Sequence, residues 1–425
     1  MGQRKKYVWA GTGGRGIYMF AKPLLKQFTE YCELAALFDH NEVRLKNAAQ
    51  MCGAAELPLY TDYQKMLKEV NPDAVIITTR DSTHADYIVQ TLAAGKRAIS
   101  EKPLCVDGQQ CRDILAAAKK YAKKGADCFV THNMRYGPSI TEMKRQIQNG
   151  AIGEMKSINF HENLDRKHGA DYFRRWHRQK KNSGGLLIHK ASHHFDALNW
   201  IAGSRPDTLV ATGGTIFYGK NGPFRHKRCE GCPHAKKCDF YVDMWSHENN
   251  VKLYKAAEKE DGYIRDACVF DKEIDIEDQA GVLYKYENGI HVTYSLTAFA
   301  TYEGWHIQVE GTKGRIELRE VHDTKWAAGT ASMHGLEKTV GQSLTLFSLK
   351  EGLKNIPIPE VEGGHGGADS GLQQDFFGRP FDAKPTDRMA PLEQAIQAVL
   401  IGHAANVSIA NGSQPVRVQD FLKHG

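Results

Sequence analysis

The sequence predicts an α/β protein whose first third is a doubly wound parallel sheet. Three observations carry that reading. A short apolar run, Tyr7 to Ala10, leads directly into glycines at Gly11, Gly13 and Gly16. Short apolar runs then alternate with stretches of helical period up to about residue 131. The length, 425 residues, provides for two or three domains with a proper core.

In chain order, Tyr7-Val8-Trp9-Ala10 reads as a buried strand and a helix follows from about Ile17. Between them, Gly11-Thr12-Gly13-Gly14-Arg15-Gly16 fits G-x-G-x-x-G. Gly11 permits the tight turn, Gly13 lets backbone approach a pyrophosphate, and Gly16 lets helix pack closely on strand. The helix N-terminus then faces the phosphates. The next strand, Leu34 to Phe38, ends at Asp39, whose carboxylate suits ribose hydroxyls and repels a 2′-phosphate. His40 and Asn41 follow it, with no adjacent arginine, which favours NAD over NADP.

The alternation continues with a helix over 62–70, a strand over Ala74 to Thr79, and a helix over Ala85 to Ala94 closed by Gly95. A strand over Arg97 to Ser100, a helix over Gln109 to Lys123 and a strand over Cys128 to Thr131 complete it. Such sheets bind ligands beyond the C-terminal ends of their strands. Thr78, Thr79, Ser82, His84, Glu101, Lys102 and Pro103 fall there. With Thr12, Gly14, Arg15 and Asp39 they join the three glycines as the expected cofactor-binding set.

Composition excludes several classes. Hydrophobic residues make up 41% and charged residues 25%, ordinary globular values. The net charge of +6 is spread along the chain, so a nucleic-acid partner is not indicated. The densest basic patch, Arg174 to Lys181, reads as a solvated face or an anionic-ligand site. No run approaches the roughly 20 apolar residues of a membrane span. The basic start Arg4-Lys5-Lys6 precedes too short an apolar run for a secretory signal, and a cytoplasmic protein is expected.

Five of the nine cysteines (Cys32, Cys52, Cys105, Cys111, Cys128) are scattered and read as small buried hydrophobes. The other four do not. "RCEGCPHAKKC" gives Cys229, Cys232 and Cys238, and Cys268 follows thirty residues later. Together they suggest a structural zinc site, with His234 as a competing ligand and free thiols as the alternative. The polar stretch from about 218 to 270 reads as an insertion that a metal would staple.

The motifs together resemble the Gfo/Idh/MocA oxidoreductases. The carriers are G-T-G-G-R-G, the strand ending at Asp39, D-S-T-H at Asp81 to His84 and E-K-P at Glu101 to Pro103. H-N-M-R-Y at His132 to Tyr136, G-G-L-L-I-H-K-A-S-H-H-F-D at Gly184 to Asp196 and G-G-H-G-G-A-D at Gly363 to Asp369 add to them. The resemblance implies a Rossmann domain over 1–131. An α/β domain over 132–425 would follow, with a large, mostly antiparallel sheet, one face for substrate and the other for contacts in a homodimer or homotetramer. Runs over 156–162, 207–213, 279–286, 289–296, 305–311 and 314–318 read as its strands, with a hairpin turn at Glu287-Asn288-Gly289. A long helix over Met389 to Ile409, ended by Gly412, reads as packing.

In the family the E-K-P lysine works with an acid and a histidine of the pattern G-G-x-L-x-D-x-G-x-H-x-x-D. Matched here, the lysine is Lys102, the histidine is His193 and the last acid is Asp196. His189 stands where the first acid would be, followed by Lys190, and Ala191 replaces the second glycine. On a helix His189 and His193 share one face. His193 is expected to move the proton and Lys102 to orient the substrate hydroxyl, with His189 or Lys190 replacing the missing carboxylate. Arg135, Tyr136, Tyr172, Arg174, Trp176, His177, Asp196 and His365 are expected around a polyhydroxylated substrate.

The expected function is NAD-dependent oxidation of a carbinol in a sugar or sugar derivative. One alternative is an NAD-dependent glycoside hydrolase working by transient C3 oxidation, elimination, hydration and re-reduction. Another is a non-catalytic NAD-binding sensor.

Overall fold

The computed structural model describes residues 4–322, 340–364 and 366–423. It contains two sheets. The first begins with β1 (Lys5–Ala10), β2 (Cys32–Phe38), β3 (Leu59–Tyr60), β4 (Ala74–Ile77), β5 (Arg97–Ser100) and β6 (Cys128–Val130). These run parallel in the order β6-β5-β4-β1-β2-β3. The order steps outward in both directions from β1, so the ends of β1 and β4 frame a crevice. All four β4 residues are buried, as a sheet covered on both faces requires.

The second sheet comprises β7 (Met155–Asp165), β8 (Pro206–Gly214), β9 (Gln279–Tyr286), β10 (His291–Ala300), β11 (Glu303–Gly311), β12 (Gly314–His322), β13 (Gly341–Ser348) and β14 (Gly352–Ile356). Among the described residues only β7 and β10 pair in parallel; the other pairs are antiparallel. Buried and exposed residues alternate along β9, as one packed and one open face demand. Two late strands close the edges. β15 (Ala390–Pro391) returns to pair with β6, and β16 (Val416–Arg417) pairs with β8. The α/β class, the parallel first sheet and the mostly antiparallel second sheet are as expected, while β13 and β14 lie beyond the strands read from sequence.

The helix Leu392–Ala410 joins the layers. Its Gly402 lies so close to the Leu187 carbonyl that a Cβ would come within 2.2 Å of that oxygen. Asn406 donates to the Gly184 carbonyl at 2.7 Å, and Ser408 accepts from the Ala211 N–H at 2.9 Å. The segment carrying the histidines is thus fixed against β8. Among the described residues no helix is long and apolar enough to cross a membrane.

The glycine loop is placed by close approach. Gly11 has φ +90°, and a Cβ there would meet the Thr79 nitrogen at 2.6 Å. The helix starts at Gly14, earlier than expected, and continues through a π-helical turn, Ile17–Ala21, into Lys22–Lys26. Gly16 packs on the face of Trp9, whose indole N–H donates to Thr78 Oγ1 at 2.8 Å. A Cβ at Gly16 would lie 2.4 Å from the indole. Gly16→Ala is therefore expected to destabilise the chain by about 1–3 kcal/mol, read as a lowered melting temperature. An unchanged melting temperature would mean that the helix slides without cost.

Candidate active site

A cavity of about 1600 Å³ runs from the glycine loop, past the ends of β1 and β4, to the second sheet. At one end Gly11, Gly13, Gly14 and Asp39 line it. A Cβ at Gly13 or Gly14 would meet nothing but the Tyr254 hydroxyl, so apart from that contact the backbone is bare toward the cavity. Asp39 is buried and takes the Thr12 N–H and hydroxyl at 2.8 and 3.0 Å. A bare glycine backbone at a helix start, beside a carboxylate at a strand end, fits a dinucleotide.

Arg44, four residues beyond His40, faces Asp39 at 3.6 Å and pairs with Asp261 at 2.5 Å. Two carboxylates occupy it, so its own charge is not open to a 2′-phosphate. Thr78, Thr79, Arg15, Glu101 and Lys102 also line the cavity. Arg15 is a bridge rather than a free cation. It donates to Glu101 at 3.3 Å and to both oxygens of Asp369 at 3.0 and 3.1 Å. The G-G-H-G-G-A-D motif is thus drawn back onto the glycine loop, with Asn133 also donating to Asp369 at 2.9 Å. His365 lies outside the described residues.

Four of the expected cofactor residues act behind the wall. Thr12 holds Asp39, and Gly16 packs on Trp9. The Ser82 carbonyl accepts from Gln110, and the Pro103 carbonyl stands against His84 Nδ1 at 2.8 Å. His84 lines the cavity but meets carbonyls at both ring nitrogens, so it braces the loop.

The deep end gathers Lys102, His189, Lys190 and His193 with Tyr172, Trp176 and His177. His189 and His193 do not share a helix face. Leu186–His189 is one short helix, and Ser192–Ala202 begins another after a break at Lys190 and Ala191. The histidines meet the cavity because the chain turns between them. Lys102 donates to the His189 carbonyl at 3.0 Å. Burial pulls its ammonium down to about 8, against the opposing pull of Asp81 and Glu101.

Asp81 is the residue that sequence reasoning passed over. It opens the helix Asp81–Ala93, is buried, and meets His189 Nδ1 at 2.5 Å. The acid missing from the pattern at position 189 is thus present in space, delivered from the first sheet. Burial raises the Asp81 carboxyl and lowers the His189 imidazole. The short hydrogen bond fixes the ring whichever atom holds the proton. Lys190 is committed elsewhere, pairing with buried Glu162 of β7 at 3.1 Å. That leaves His193, whose Nδ1 has no hydrogen-bond partner. Burial first, then the Lys102 charge, lowers its imidazole well below the ordinary value, which keeps it neutral near pH 7.

Four expected substrate residues do not reach the cavity. Arg135 and Asp196 form a fully buried bidentate pair at 2.6 and 2.7 Å. Tyr136 packs beneath the Arg388 guanidinium. Arg174 is taken up by Asp171 and the Phe240 carbonyl. The basic patch around it is an ion-pair network: Arg175 pairs with Asp171, Arg178 with Asp271 and Lys180 with Glu277. Trp305 of β11 and His322 of β12 line the cavity instead, and strand alternation alone could not show which face they take.

The zinc expectation is corrected. Cys229, Cys232, Cys238 and Cys268 border one small cavity of about 20 Å³ and are free thiols. Among the described residues, however, no three His, Cys, Asp or Glu side chains stand where they could hold a metal ion. His234 is stacked on Phe224. Within the insertion Arg228 pairs with Glu258 at 2.5 Å and with Asp266 at 2.6 Å, and Phe240 packs on Phe217, Tyr218 and Phe270.

Two sequence models of one oxidoreductase family match the chain. Its NAD-binding Rossmann fold covers residues 5–132, and its C-terminal alpha/beta domain covers residues 144–418. The Bacillus subtilis protein YteT, named as a provisional oxidoreductase, is 31% identical over 436 aligned positions, 99% of each chain. An inositol 2-dehydrogenase/D-chiro-inositol 3-dehydrogenase of Lactiplantibacillus plantarum is 24% identical over 69% of this chain and 77% of its own. Among solved structures, a levoglucosan dehydrogenase in complex with NADH superposes with a TM-score of 0.69 at 18% identity, covering 98% of this chain and 99% of its own.

Because the Arg135–Asp196 pair is structural, Asp196→Asn is expected to cost about 3–5 kcal/mol by leaving a buried guanidinium uncompensated, with NADH affinity kept. Denaturant unfolding and NADH titration read the two separately. Lost NADH binding in a folded variant would restore Asp196 to the site.

Proposed function

The chain belongs to the Gfo/Idh/MocA oxidoreductases, and on that premise we propose that it oxidises a carbinol of a sugar or sugar derivative with NAD. Convergence carries the reading: Lys102, neutral His193 and the Asp81–His189 pair meet at the deep end of the cavity whose other end holds the bare glycine backbone. Bound NAD supplies the hydride acceptor. Lys102 donates to the substrate oxygen and polarises it. His193 takes the hydroxyl proton, since its ring is neutral and lines the cavity. His189, held by Asp81, orients the Lys102 ammonium through its own carbonyl. Tyr172 and Trp176 offer flat faces suited to a sugar ring. The inositol and levoglucosan dehydrogenases among its relatives support a polyol or sugar as substrate.

Free sugars and chromogenic glycosides incubated with protein and NAD⁺ test this, with NADH and released aglycone followed together. Accumulating NADH without aglycone is the expected result. Aglycone release that needs NAD⁺ yet leaves no NADH would establish the redox-cycling hydrolase instead. Tight NAD binding with no turnover on any member would leave a sensor.

His193→Ala and Lys102→Met are expected to lower kcat by about 10²–10⁴-fold while NADH titration still shows binding. Full activity in both would refute the assignment. Lys102 acts in its charged form, so kcat/KM for oxidation should fall as pH rises through about 8. Lys102→Arg, charged throughout, should lose that alkaline limb.

A further inference from the structure

The insertion packs on its own sheet at Phe217 and Tyr218, and its middle lies along the glycine-loop end of the cavity. Its anchors on the first sheet's helix Glu42–Cys52 and the turn before it are specific. Asn41 donates to the Ala257 carbonyl and to Asp261, both at 3.0 Å. Arg44 pairs with Asp261 at 2.5 Å and donates to the Leu253 carbonyl at 3.3 Å. Asn47 donates to the Lys252 carbonyl at 2.7 Å. These contacts set down two side chains. The Tyr254 hydroxyl accepts the Gly14 N–H at 3.0 Å, a donor from the first turn of the glycine-loop helix. The Arg265 guanidinium stacks on the Tyr254 ring at 3.8 Å.

Arg265 is unusual among the arginines of this cavity. Arg15, Arg44, Arg175 and Arg178 each hold a carboxylate, and exposed Arg80 meets the Asn182 side chain. Among the described residues Arg265 is in no ion pair; its one hydrogen bond goes to the Tyr263 hydroxyl at 3.4 Å, and its buried Nε has no partner. A half-buried guanidinium with no carboxylate in contact keeps donors to spare for an anion. Here it stands over the tyrosine that touches the phosphate-binding backbone, and both residues line the cavity.

We propose that Tyr254 and Arg265 are dinucleotide ligands, reaching the pyrophosphate beside the glycine loop, and that the insertion thereby makes NAD a slowly exchanging, resident group. The inference rests on NAD being the ligand of this cavity. A pyrophosphate supplies the anion that Arg265 lacks, and the Tyr254 hydroxyl has its own proton to donate to a phosphate oxygen. The anchors at Asn41, Arg44 and Asn47 must part before the dinucleotide leaves.

The test is binding rather than turnover. Affinities for NADH, ADP-ribose and adenosine are titrated with the full chain and with Arg265→Ala, Arg265→Lys and Tyr254→Phe, and NADH release is timed in a chase with excess NAD⁺. Arg265→Ala should weaken NADH and ADP-ribose by about tenfold or more and speed NADH release to match, while adenosine changes less than about twofold. Arg265→Lys should recover part of the loss, and Tyr254→Phe should show a smaller loss with the same pattern. Equal losses for adenosine and ADP-ribose, or NADH affinity and release within about twofold of the parent in both Arg265→Ala and Tyr254→Phe, would overturn the proposal. A parent chain that binds no NADH would remove the functional reading as well, so the two failures are told apart.

Discussion

The arrangement of the site depends on one buried ion pair. Arg135 lies in the turn that follows β6, and Asp196 lies in the helix that carries His193. Neither is exposed, and their bidentate contact fixes the end of the parallel sheet against the first turn of that helix. Gln394 accepts from Arg135 Nη1 at 2.7 Å, which ties in the long helix Leu392–Ala410. A charge pair removed from water tolerates little displacement, because each partner is the other's only compensation. That stiffness suits the proton transfer proposed for His193, since small errors of position cost rate steeply.

The chemistry at the deep end is organised by partition of charge. Lys190 is neutralised by Glu162, and Arg15 by Glu101 and Asp369. Lys102 is left against a backbone carbonyl, which orients it without neutralising it. The surrounding histidines are buried and held neutral, partly by that same lysine. One hydrogen-bonding cation thus faces a cluster of neutral imidazoles.

Much of this was legible in the sequence, and the limits have physical causes. The first sheet could be read because G-x-G-x-x-G, Asp39 and E-K-P mark turns and strand ends, where local geometry dictates residue type. The alternation of β9 was equally plain. The role of Asp81 was not, because its partner His189 is 108 residues away and contact between them is a product of domain packing. Arg135 and Asp196 looked like substrate contacts because a charged pair and a ligand-binding set have the same composition; only burial separates them. The insertion misled for a related reason. Its cysteine spacing suggested a metal, whereas its contribution to the cavity includes Tyr254 and Arg265, which no local pattern singles out.

The contact between Gly14 and Tyr254 spans 240 positions, and that between Arg44 and Asp261 spans 217. Chains emerge from the ribosome N-terminus first, and domains generally fold as they appear. The glycine loop, Asp39 and the whole parallel core except β15 are therefore made well before the segment that covers them. During that interval the crevice stands open on the side that the insertion later covers. Biosynthesis thus sets a sequence of events: the nucleotide cleft comes first, and its cover arrives only after more than half of the polypeptide has been made.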